Sequence, residues 1–134
     1  MKRFSALLAV LIVLAGSHVS AKSSNYVFTG RDMYESCTHA LAGLDKTGDY
    51  DDHRFGVCAG YIAGVIDFHT VATTVEALSA DMFCLPANIT TAQVIRDVTQ
   101  YLGNNPGKHD DLAAYLVVLA LREAYPCQEP TSGQ

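Results

Sequence analysis

Four cysteines, at positions 37, 58, 84 and 127, are the residues in this chain best suited to covalent chemistry. No two stand at CxxC spacing, so neither a zinc knuckle nor a redox couple is suggested. An even count in a chain with export features points to two structural disulfides. His39, His53, His69 and His109 are scattered without HxxxH or HExxH spacing, and no metal is implied. Asp67 and His69 are the closest approach to an acid–base pair, but residues two apart do not share a helix face. Asp67 therefore reads as a hydrogen-bonded structural carboxylate. The run "DKTGDYDDH" from Asp45 to His53 gathers carboxylates, yet it lacks the glycine at position 6 and the glutamate at position 12 of an EF-hand loop. Neither a nucleophile elbow, a phosphate loop nor a paired-carboxylate cleft is present. The expectation is a protein that binds rather than catalyses and needs no cofactor.

The ends of the chain suggest where it works. Lys2 and Arg3 precede an apolar run from Phe4 to Leu14, and Val19-Ser20-Ala21 offers small residues at −3 and −1 of a cleavage point. This pattern reads as a secretory signal over residues 1–21, too short in its apolar part to anchor the chain, and it implies a periplasmic protein. A single domain is expected over 22–127, followed by a disordered tail over 128–134. Without Lys2 and Arg3, the nine basic residues become seven against 14 acidic ones, a net charge of −7. That balance, with no basic patch, disfavours nucleic acid and anionic lipid and suits a basic partner. Asn88-Ile89-Thr90 is a glycosylation sequon that would matter only in a eukaryotic secretory pathway.

Positioning these residues falls to helices. Met33, Tyr34, Cys37, Leu41 and Leu44 recur at helical spacing, predicting a helix from about Arg31 to Leu44 with Thr29 as its cap. A second, from about His53 to Leu78, places Phe55, Cys58, Ile62, Val65, His69 and Ala72 on one face. Thr90 and Gln93 form a capping-box pattern, with Ile89 and Val94 as a hydrophobic staple, for a third helix that ends before Pro106. Asp110 and Asp111 suit the start of a fourth, which Pro126 terminates. Its near-continuous apolar character suggests the central position. The fold class is thus all-α, a small bundle of four helices with no convincing strand.

Sequence alone leaves three cysteine connectivities open. If the first two helices form an antiparallel hairpin, Cys37 and Cys58 lie at similar heights above the turn, at about 1.5 Å of rise per residue. A second hairpin brings Cys84, before the third helix, beside Cys127, after the fourth. Cys37–Cys58 with Cys84–Cys127 is the expected pairing. Gly56, Gly60 and Gly64 recur every four residues, a stripe that implies close packing of the first helix or of a second subunit.

In its ordered motifs the chain resembles the Rap/Tai family of type VI secretion amidase immunity proteins. The order is Cys58, Gly60-Tyr61-Ile62, Gly64 and Asp67, then Phe83-Cys84-Leu85-Pro86, Tyr101-Leu102 with Pro106, and Ala124-Tyr125-Pro126-Cys127. Gly107-Lys108 after Pro106 departs from the glutamate that many relatives carry there. The resemblance implies a periplasmic, often homodimeric protein that plugs the cleft of a papain-like peptidoglycan amidase effector. The contact is expected from exposed polar turns: Asn104, Asn105, Lys108, His109, Asp110 and Asp111 first, then Asp49, Tyr50, Asp51 and Asp52. A periplasmic stress chaperone that exposes apolar surface in acid is the alternative.

Overall fold

A computed structural model describes residues 27–77 and 81–128 of the chain. The signal segment, Leu78 at the expected end of the second helix, and the tail from residue 129 lie outside the described residues. Among the described residues four helices follow in order: α1 (Gly30–Leu44), α2 (Asp52–Thr74), α3 (Thr91–Asn104) and α4 (Ala113–Ala124), with a 3-10 turn over Pro106–Lys108. Among the described residues strand-type pairing is limited to one isolated antiparallel bridge, Thr29 to Leu112.

Local chemistry explains the helix starts. Thr29 and Asp32 close a full capping box on α1, the Asp32 carboxylate accepting from the Thr29 backbone N–H at 2.9 Å. Asp51 caps α2 by accepting from the Arg54 N–H. Thr90 caps α3 through Gln93 N–H, but the Gln93 side chain turns to Asp97 at 2.8 Å, so the expected box is only half formed. At their far ends, α1 gives way at Lys46 and α2 at Glu76, both in the left-handed region with φ of 56° and 57°.

Two expectations about helices are corrected. The fourth helix begins at Ala113, and Asp110 and Asp111 belong to the preceding turn. The cause is competition: the carbonyls of His109 and Asp111 accept from Arg31 and Gly30 at 2.8 and 2.9 Å, while Phe28 C=O takes the Ala113 N–H. The orphan N–H groups that begin α1 and α4 are thus satisfied by each other's flanking segments. Nor is α4 the central helix. It buries one face (Ala113, Leu116, Val117, Ala120, Leu121) and leaves Tyr115 exposed. The helix packed most broadly against the others is α1, whose buried face sets Met33 among the small residues Gly30, Ser36, Cys37 and Ala40, on which α2 and α3 close.

The core gathers Met33, Ile62, Ile95, Val98, Leu102, Leu116, Val117 and Leu121 around the Cys37–Cys58 disulfide. Both expected disulfides are present, with Cα separations of 5.0 Å for Cys37–Cys58 and 4.9 Å for Cys84–Cys127. The connector into α3 is pinned as well: Cys84 N–H donates to Tyr125 C=O, and Met82 N–H donates to His69 Nε2 at 3.0 Å.

Candidate interaction site

The turn between α3 and α4 is a rigid platform. Asn105 Nδ2 donates to Tyr101 C=O at 2.8 Å, and Pro106 opens the 3-10 turn. Lys108 Nζ donates to Tyr101 Oη at 3.0 Å and lies over that ring, and the hydrogen bond holds its ammonium above the usual lysine range. His109 is only 8% exposed, with ring Nε2 2.9 Å from Leu102 C=O and the Tyr34 ring beside it. Facing a carbonyl, Nε2 must carry the hydrogen.

Burial therefore removes His109 from the set of contact candidates: it is the pivot beneath the turn. Asn104, Lys108, Asp110 and Asp111 are exposed, and Asn105 is half-buried by its capping bond. Asp110 pairs with Arg31 at 3.1 Å on the surface, a contact of small energetic weight. Leu112 and Tyr115, half-exposed beside these polar groups, are surface the sequence reading missed. A signal was available: both positions fall off the 113, 116, 117, 120, 121 face of α4. An aromatic among polar groups is the usual composition of a binding hot spot.

The second candidate set does not join the first. Residues 49–52 follow the C-terminal end of α1, whereas the α3–α4 turn sits at its N-terminal end, about 21 Å away along a 15-residue helix. There Asp51 is occupied as the α2 cap, and the Arg54 N–H holds its carboxyl below the ordinary range. Asp49 and Asp52 are exposed, and Tyr50 packs on Phe55 and over Gly43.

The α2 features turn out differently from expectation. Asp67 is exposed and has no hydrogen-bond partner among the described residues, because it points away from the core. Gly56, Gly60 and Gly64 do not receive α1: a Cβ at any of them would meet nothing within 4 Å. The expected packing against the first helix fails because α1 lies on the Cys58 side of α2. Gly56 and Gly60 instead floor an open groove of about 660 Å³, walled by Phe28, Glu35, Arg54 and Tyr61. His69 is buried on the opposite side, stacked on Phe83 with centroids 4.2 Å apart. Its Nε2 is already engaged by Met82 N–H, so it offers Asp67 no acid–base partner. Asp81, Cys84 and Cys127 come close enough to suggest a cation site, but the disulfide consumes both sulfurs.

None of the curated proteins matches the chain. A family model described as Rap1a immunity proteins matches residues 29–127, from the cap of α1 to the last cysteine.

Proposed function

This chain belongs to the Rap1a immunity protein family, and from that premise we propose that it protects its cell by binding and neutralising a secreted effector, with no chemistry of its own. The effector we assign is a peptidoglycan amidase of papain type delivered by type VI secretion. The protein meets it as a homodimer in the periplasm, after removal of residues 1–21. Such an enzyme works through an activated thiolate in a cleft, and occluding the cleft requires only a shaped, rigid insert.

The observation that carries this reading is the α3–α4 turn. Its backbone is fixed by bonds to Gly30 and Arg31, its underside by His109, and its exposed rim presents Asn104, Lys108, Asp110 and Asp111. A preformed insert loses little conformational freedom on docking. Two disulfides fit an oxidising compartment and support the periplasmic assignment.

The test is capture by the oxidised protein from lysates of the producing strain and its relatives, followed by assay of wall cleavage. One stoichiometric papain-like amidase, blocked on binding, is expected. Replacing Lys108, Asp110 and Asp111 together with serine, and leaving His109 in place, should weaken inhibition at least tenfold while circular dichroism still shows a folded helical protein. Full inhibition by that variant would remove the turn from the interface. The chaperone alternative draws on Phe68, Val71 and Val75, exposed along α2. Suppression of unrelated aggregation after acidification would favour it.

A further inference from the structure

The connector that leads into α3 is held at Met82 by a histidine. His69, on the core face of α2 and 6% exposed, accepts the Met82 N–H at Nε2 over 3.0 Å. An acceptor nitrogen carries no hydrogen, so the ring is neutral and its proton sits on Nδ1. Phe83 stacks on the ring with centroids 4.2 Å apart. Beyond Phe83 the segment is anchored: Cys84 is bonded to Cys127, and its N–H donates to Tyr125 C=O. Residues 81–83 thus have a fixed end at Cys84 and a titratable hold at His69.

A second partner for the ring stands beside the first. Asp81 Oδ1 lies 3.8 Å from Nε2, which in the neutral ring has no hydrogen to give it. A proton added at Nε2 reverses the preference. It sets two N–H donors against each other across the Met82 contact, and a buried donor left unpaired is costly. It also offers Asp81 a charged donor, and a bond of about 2.8 Å needs the carboxylate to come in by only about 1 Å. Phe83 can keep its place, because a ring face attracts a cation. The charged groups at this corner come from two elements. Asp81 of the connector shares a hollow beside the ring with Ile66, Thr70 and Thr73 of α2, and Arg122 of α4 joins Asp81 and Met82 in a neighbouring one. On α2 itself Asp67 points away from the core and Glu76 is exposed past the helix end. Among the described residues none of α1 or α3 lines either hollow.

We propose that His69 is a proton-operated latch on residues 81–83: neutral, it holds the Met82 N–H, and protonated, it releases Met82 and takes the Asp81 carboxylate. The proton arrives from water on the Asp81 side, where that side chain is 55% exposed. No covalent bond changes, and Cys84–Cys127 limits the motion to a shift of the segment. Histidine changes charge between about pH 5 and 8, so the latch answers to mild acid, well above the range in which the carboxylate caps are lost. It stands at the far end of α4 from the α3–α4 turn, about 18 Å away along 12 residues. The inference therefore goes beyond the immunity reading and does not rest on it.

Amide NMR of the oxidised protein, titrated across the histidine range, reads the latch. The Met82 amide should shift with the same midpoint as the His69 ring. Its hydrogen exchange, taken relative to the intrinsic rate at each pH, should accelerate at least tenfold in the acid form, while the Cys84 amide stays protected. His69→Gln keeps an acceptor but cannot titrate, so Met82 should then remain protected throughout. Asp81→Asn, at an exposed position, leaves the neutral arrangement intact and should move the midpoint to lower pH, because the protonated ring loses its anionic partner. A Met82 amide indifferent to the ring's titration, or one that responds equally in His69→Gln, would overturn the latch. An unmoved midpoint in Asp81→Asn would overturn the exchange of partners even if His69→Gln failed to fold. Amidase inhibition by Asp81→Asn should match that of the parent protein and reports separately on the immunity reading.

Discussion

Glycine is where single residues in this protein separate most clearly. The pattern at 56, 60 and 64 draws attention by its periodicity, yet a Cβ there meets open space. Gly30 forms no pattern, yet a Cβ on it would collide with the Leu116 side chain and press on the His109 backbone at 3.2 Å. Gly30 is the residue that allows the α1 start and the α3–α4 turn to touch. Gly30→Ala is therefore expected to lower stability by about 1–3 kcal/mol through overpacking. Gly64→Ala, measured on the monomer, should raise it by about 1 kcal/mol through helix propensity. Thermal or urea unfolding of the two variants decides both, and equal effects would contradict the contrast.

At the scale of elements, the disulfides divide the labour of holding helices together. Cys37–Cys58 is fully buried and joins α1 to α2, whereas Cys84–Cys127 spans 43 residues and ties the α3 entry to the α4 exit with Cys84 exposed. Exposure governs access of a thiolate to the bond. Under graded reductant, Cys84–Cys127 should open first, as read by stepwise alkylation and mass spectrometry. Removing it as Cys84→Ala with Cys127→Ala should cost about 4 kcal/mol in the chain-entropy model. The folded remainder should keep Cys37–Cys58 intact. The connector has a second hold in Met82 N–H on His69, so reduction alone should loosen the 81–85 segment rather than release it.

For the whole molecule, stability against pH follows from where carboxylates are paired. The Thr29 backbone N–H and hydroxyl hold Asp32 below the ordinary range, Arg96 does the same for Asp45 through bonds of 2.8 and 2.5 Å, and the Arg54 N–H for Asp51. Folded values below unfolded ones mean that this contribution is present above about pH 4 and is lost as pH falls through the lowered folded values. In the alkaline direction Tyr125, half-buried and bonded to Asp97, is pushed up to about 12 by burial and then by that carboxylate. Its neutral form is the folded form, so its contribution is complete below about pH 10 and fades as pH rises through about 12. Melting temperature should therefore form a plateau with two shoulders, and Tyr125→Phe should shrink the alkaline one, to which Tyr61 and Lys108, also raised, still contribute. An unchanged alkaline shoulder in that variant would discount the Tyr125–Asp97 contact.

The sequence by itself determined the helices and their approximate limits, because helical periodicity and the Thr29 and Thr90 caps are local properties of the chain, and the disulfide pairing followed once two antiparallel hairpins were assumed. It also carried the family resemblance, which rests on ordered short motifs. Burial and direction were decided only by the tertiary structure. His109 looks like any polar residue in a polar turn until Leu102 and Tyr34 close over it. Asp110 and Asp111 look like a helix start until Gly30 and Arg31 claim the carbonyls of Asp111 and His109. The glycine stripe reads as a packing face, but which side of α2 meets α1 depends on the Cys37–Cys58 tether. Each of these outcomes depends on a partner in another element, and periodicity within one helix says which residues share a face, not what that face will meet.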